Sequence, residues 1–172
     1  MRFIQDDLTG PEIRKLLEFH FAEMLANSPK GACHFLDFQG LKAPGVTFWS
    51  VWDGKDLTGC CALKEHNAEL GEIKSMRTHA DHLRRGVGRM MLQQLIATAK
   101  DRGYLRLSLE TGSGPSFIAA TRLYESQGFT ECPPFGDYCL DSFSRFYTLE
   151  LQTLNADASS VSHVKDAASV LK

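Results

Sequence analysis

Arg84, Arg85 and Arg89 crowd the stretch Leu83-Arg84-Arg85-Gly86-Val87-Gly88-Arg89, where two glycines stand one residue apart. The preceding His79-Ala80-Asp81-His82 adds a single acid, Asp81. Such a loop can bind an anion. Glycine lets a backbone approach closely, and a helix starting there presents unpartnered N–H groups and the positive end of its dipole. Two phosphate-binding patterns fail on spacing. The Walker loop requires Gly-x-x-x-x-Gly-Lys-Ser/Thr, and the dinucleotide fingerprint requires a third glycine where Met91 stands.

The loop needs a strand before it and a helix after it. Gly71–Thr78 alternates Glu72, Lys74, Met76 and Thr78 against Ile73, Ser75 and Arg77, which predicts a strand with those sets on opposite faces. Val87, Met91, Leu92, Leu95, Ile96 and Ala99 fall on one helical stripe, and Gly103 is the expected C-cap. Tyr104–Thr111 follows as a strand with Leu105, Leu107 and Leu109 on one face. A strand, helix and strand in succession give a right-handed crossover, so these two strands should be parallel.

Elsewhere the chain predicts a first strand near Arg2–Gln5. A helix then opens on a Thr9–Glu12 capping box and carries Ile13, Leu16, Leu17, Met24 and Leu25. Residues 29–45 read as an irregular connection rich in apolar groups, with a short packing helix as the alternative. Val46–Trp52 and Leu57–Lys64 read as a hairpin about Asp53-Gly54-Lys55-Asp56. Ser116 is the expected N-cap of a helix Phe117–Gln127 that Gly128 ends. Phe135–Asp141 and Phe146–Leu151 are expected to supply one or two closing antiparallel strands.

Two stretches resemble a known family. Leu83-Arg84-Arg85-Gly86-Val87-Gly88 is similar to motif A of the GNAT (Gcn5-related) N-acetyltransferases, Gln/Arg-x-x-Gly-x-Gly/Ala, with Leu83 at the Gln/Arg position. Ala120-Thr121-Arg122-Leu123-Tyr124-Glu125-Ser126-Gln127-Gly128-Phe129 resembles motif B, Ala-x-x-Leu-Tyr-x-x-x-Gly-Phe, with Phe117 where the family has Asn. The resemblance spans about Arg2 to Leu151. It implies an α/β (α+β) fold: a mixed, mostly antiparallel sheet with a parallel splayed strand pair and flanking helices. It also implies acetyl-CoA as co-substrate, with no metal. On that reading Met76, Arg77, Thr78, Leu83, Arg84, Arg85, Gly86, Val87, Gly88, Arg89 and Tyr124 hold the cofactor.

Acetyl transfer needs a base for the amine and a proton donor for the departing thiolate. The resemblance gives Tyr124 as donor and Glu72 as base, the strand position used by the histone-acetylating branch. Glu110, at the carboxyl end of the neighbouring parallel strand, is the rival base. A backbone N–H near Met76 is the expected oxyanion donor. The acceptor is a primary amine of a small molecule or amino-acid-like compound, with a protein amine as the alternative. Arg77, His34 and residues 29–45 are the candidates for reading a carboxylate on it. A homodimer is the assembly that the resemblance suggests.

Other classes compete weakly. A chain of 172 residues with net charge −2 reads as one domain with no spread basic face, against nucleic-acid binding through its arginines. A non-catalytic acyl-CoA-binding domain of the same fold is the other alternative. The N-terminus shows no apolar signal region and no run approaches a membrane span, so cytoplasm is the expected location. Five cysteines without a Cys-x-x-Cys pair argue against a disulfide framework, and adjacent Cys60 and Cys61 should point to opposite faces. His79 and His82 have no third ligand and are expected to be solvated. The domain should run over residues 1–152, with residues 153–172 a flexible tail.

Overall fold

A single sheet carries the strands in the order β1-β2-β3-β4-β5-β7-β6. They are β1 (Arg2–Gln5), β2 (Val46–Asp53), β3 (Asp56–Glu65), β4 (Leu70–Thr78), β5 (Arg106–Gly112), β6 (Thr130–Cys132) and β7 (Ser144–Glu150). The helices are α1 (Pro11–Asn27), α2 (Phe38–Leu41), α3 (Val87–Asp101) and α4 (Ile118–Ser126). This is a computed structural model, and it describes residues 1–31 and 34–151. Cys33 and the expected tail, 153–172, lie outside the described residues. Among those described, no helix is long and apolar enough to cross a membrane.

Every strand pair is antiparallel except β4 with β5, which α3 joins as a crossover. That parallel pairing ends at Ile73↔Leu109, although β4 runs on to Thr78 and β5 to Gly112. The two strands therefore part company, and the last residues of β4 have no strand neighbour on that edge.

A bulge in β4 corrects the simple alternation expected there. Cys60 of β3 lies opposite Arg77 while Ala62 lies opposite Lys74, so Ser75 and Met76 share one partner position. Ser75 takes φ +48°, a left-handed conformation rare outside glycine. The extra residue reverses the phase. Met76 joins Ile73 against the α3-side core, and Arg77 joins Glu72 and Lys74 on the α1 side.

The sheet has a core on each face. Leu63, Ile73, Leu107 and Leu109 pack with Met91, Leu92 and Leu95 of α3. Phe48, Cys60 and Ala62 pack with Ile13, Leu16 and Leu17 of α1. Cys60 and Cys61 lie in opposite cores, as alternation requires, and burial pushes the Cys60 thiol up to about 12.

Local chemistry departs from expectation at four places. Thr9 bonds Asp7 rather than capping α1, whose N-cap is Gly10. Ser116 Oγ donates to Asn27 Oδ1 at the end of α1, and Pro115–Phe117 forms a 3₁₀ turn ahead of α4. Leu25 is 61% exposed because the buried stripe of α1 runs through Leu16, Leu17 and His20 instead. Phe135–Asp141 is not a strand. Pro133 and Pro134 cannot donate ladder hydrogen bonds, so pairing stops at β6 and the following residues loop back over the sheet.

Candidate active site

Where β4 and β5 diverge, a cavity of about 190 Å³ opens. Its floor is Ile73–Arg77 of β4 and Glu110–Gly112 of β5. The last two turns of α1, Ser28, Phe117 and Tyr124 contribute to its walls. The bulge makes this floor unusual. It places Ser75 and the neighbouring backbone at a point where strand pairing is already interrupted on both sides.

Glu110, the rival base, and Tyr124, the expected donor, come from separate stretches and both line this cavity. Burial raises the Glu110 carboxyl above its ordinary value of 4.5. Burial, with Glu110's charge second, raises the Tyr124 phenol to about 12, so it stays protonated at neutral pH. Met76 and Arg77 line the cavity as well. The Arg77 side chain turns to α1, where it pairs with Glu23 at 2.5 Å and lies 5.0 Å from the Phe19 ring centroid.

Glu72 lies behind the floor and is fully buried. His66 Nε2 is 2.7 Å from its Oε2, and an ionised carboxylate accepts only, so the imidazole N–H donates. Tyr138 Oη donates to Oε1 at 2.5 Å, and Lys74 Nζ lies 3.2 Å from the same oxygen. Burial alone would raise this carboxyl. The His66 bond, the Lys74 charge and the Tyr138 bond outweigh it and leave the pKa below 4.5. Lys74 completes its donors with Tyr138 Oη at 2.7 Å and the His34 carbonyl at 2.8 Å. Gly136, at φ +56°, lets the β6–β7 loop lie directly on His66, where any side chain would collide with the ring.

The basic loop sits at the head of α3, beyond the end of β4. Arg84 (φ +59°) and Gly86 (φ +80°) turn the chain, and no side chain caps the helix. Met90 N–H is the amide that bonds the Gly86 carbonyl, so the Val87, Gly88 and Arg89 amides precede the helical ladder. Leu83, Arg84, Arg85 and Arg89 are exposed, while Val87 is buried in the core. A Cβ on Gly88 would stand 3.1 Å from Leu123 Cδ2, so glycine is what lets α3 meet α4. Free amides at a helix start beside exposed arginines suit a diphosphate. Thr78 Oγ1 lies 3.6 Å from that same Gly88 Cβ position, linking the strand end to the loop. Among the described residues no group of three or more His, Cys, Asp or Glu is placed to hold a metal.

The Acetyltransferase (GNAT) family model matches residues 11–129. The chain belongs to the GNAT acetyltransferase family. It is 51% identical over 146 residues to the uncharacterized N-acetyltransferase YsnE of Bacillus subtilis, covering 85% of this chain and 97% of that protein. It is 49% identical over 146 residues to the uncharacterized N-acetyltransferase YedL of Escherichia coli, covering 85% and 92%. The fold matches a GNAT family acetyltransferase from Elizabethkingia anophelis with acetyl-CoA bound, at TM-score 0.61 and 17% identity over 87% of this chain and 97% of that one. The GNAT sheet expected from the two motifs, with its one parallel pair, is the sheet observed.

Two residues escaped sequence reasoning as parts of the site, His20 lining the cavity and Tyr138 bonded to Lys74 of its floor. His20 was visible in principle as a polar residue on the buried stripe of α1. Tyr138 had no local signal, because its partners lie 64 and 66 residues away on β4.

Proposed function

We propose that this GNAT enzyme moves the acetyl group of acetyl-CoA to the amine nitrogen of a small molecule by direct attack. The observation that carries the reading is the convergence of Glu110 and Tyr124 on one cavity at the splay of β4 and β5. Bound acetyl-CoA supplies an activated thioester carbonyl. The free amides of Val87, Gly88 and Arg89 hold its diphosphate, with Arg84, Arg85 and Arg89 adding charge. The unpaired edge of β4 offers backbone partners to the arm that runs from the loop to the cavity.

Glu110 takes the proton from the incoming ammonium, and its raised pKa brings its basicity closer to the task. A backbone N–H at the Ser75–Met76 bulge stabilises charge on the attacked oxygen. As the new C–N bond forms and the C–S bond breaks, Tyr124 gives its phenolic proton to the departing sulfur, and the second proton lost by the nitrogen restores the phenol. Glu72 has a structural part in this scheme. Both its oxygens are engaged and none of its surface reaches solvent, so it fixes Lys74 and Tyr138 beneath the floor.

Calorimetric titration with acetyl-CoA tests the first half, and thiol release with an amine panel the second. Gly86→Glu should abolish binding, since a carboxylate there repels the diphosphate. Absence of acetyl-CoA binding by the native protein would end the reading. Binding without thiol release from any amine would favour the acyl-CoA-binding module.

A further inference from the structure

The polar groups at the α1 end of the cavity fall into two sets. One is charged and already paired. Arg77 holds Glu23, and Lys74 has its donors on Glu72, Tyr138 and the His34 carbonyl. The other set is neutral and, among the described residues, without partners. His20 Nδ1, Ser28 Oγ and Ser75 Oγ are buried, none has a hydrogen-bond partner among those residues, and all three residues line the cavity. His20 is only 7% exposed, and its burial, with the Arg77 charge second, keeps the ring neutral down to about pH 4. A buried polar atom without a partner is uncommon and costly. Three around one cavity point to a ligand that completes them.

We propose that the acceptor is a small amine whose second polar group is uncharged, of the hydroxyl type, and is bound by His20, Ser28 and Ser75. This rests on the amine-acetylation reading above. Each of the three atoms can give or take a hydrogen bond, the serines by rotation and the imidazole by its tautomer. That versatility matches a hydroxyl, which also does both. A carboxylate makes a different demand, since leaving water requires a cation to offset its desolvation. Both lysine and arginine side chains lining the described cavity are already in ion pairs. Glu110 further attracts an ammonium and repels a second carboxylate. His34, exposed at the rim, lies edge-on to Tyr138 at 5.3 Å. Arg77 therefore does not serve the carboxylate-reading role that its sequence position suggested.

The test uses pairs whose amines have similar basicity: 2-aminoethanol against glycine, and 2-amino-1-propanol against alanine. For each, kcat/KM is read by thiol release with acetyl-CoA, and binding by ligand-observed NMR on the CoA-loaded protein. The amino alcohol should win by at least ten-fold in both readouts. Glu23→Gln leaves Arg77 without its counter-charge and should narrow that ratio several-fold in favour of the amino acid. His20→Asn and Ser28→Ala should weaken binding of the amino alcohol more than that of the amino acid. A native preference for the amino acids would overturn the proposal, as would a ratio that Glu23→Gln leaves unmoved. Turnover of other amines with neither pair bound would overturn it too, while leaving amine acetylation standing. Preferential binding of the amino alcohols without thiol release would support the pocket assignment and count against the reaction.

Discussion

Tyr138 donates to Glu72 at 2.5 Å across 66 residues of chain. This bond and the one from Lys74 to the same phenol tie the β6–β7 loop to the buried side of β4. Tyr138→Phe removes a donor to a buried carboxylate and an acceptor for a buried ammonium. It should cost about 1–3 kcal/mol in urea unfolding at neutral pH. Glu72→Gln leaves Lys74 without its counter-charge and should cost more, about 3–5 kcal/mol. If Glu72→Gln instead kept full stability and lost turnover, Glu72 would be the base after all.

Glu110 is the base in the proposed reaction, so its pKa should shape the rate. Burial raises that pKa above 4.5, and the active form is the carboxylate. Hence kcat/KM should rise with pH through a midpoint above 4.5. Glu110→Gln should lower kcat by about 10²–10⁴-fold and flatten that limb. Acetyl-CoA affinity, measured calorimetrically, should stay near the native value.

Tyr124 offers a sharper test of the donor role. Its ring is buried beside Phe129, with centroids 6.0 Å apart, and Phe preserves that packing. Tyr124→Phe should therefore melt within a few degrees of the native protein. Its kcat should fall about a hundred-fold, with KM for acetyl-CoA unchanged. Unimpaired turnover would remove Tyr124 from the mechanism.

The sequence carried those features that depend on neighbours in the chain. The stripe of α3, the hairpin about Gly54, the glycine stops at Gly103 and Gly128 and the crossover to β5 all follow local rules. The two motifs located the loop and Tyr124 because their spacing encodes a strand, a turn and a helix. What escaped depends on contacts far along the chain. Ser75 gives no sign in its type that it will adopt φ +48°, yet that one conformation moved Met76 to one face and Arg77 to the other. Ser116 looked like a cap and bonds Asn27, a partner 89 residues away. Phe135–Asp141 has strand-like composition, and only the two prolines ahead of it argue against pairing. The buried Glu72 network is invisible locally, since it joins β4 to loops on either side of it.

His20 makes the last prediction, one about stability rather than rate. Its ring is buried, and burial lowers its pKa from 6.5 to about 4. Unfolding therefore takes up a proton at any pH between those values, and stability must fall as pH drops through that window. The full loss between pH 6.5 and 4 is about 3 kcal/mol, most of it complete by pH 4.5. Glu72, with a lowered pKa, contributes stability that is present above 4.5 and disappears only as pH falls through its folded value. Glu110, with a raised pKa, acts in the opposite sense and favours the fold as pH falls. His20→Asn keeps a side chain of similar shape and removes the titration while leaving both carboxyls in place. The difference in unfolding free energy between native and variant proteins, measured in urea from pH 7 to 4.5, should thus shrink by about 2–3 kcal/mol on acidification. A difference that stays flat across this range would mean that the imidazole is not held neutral by the fold, and with it the unpartnered Nδ1 would lose its place in the acceptor pocket.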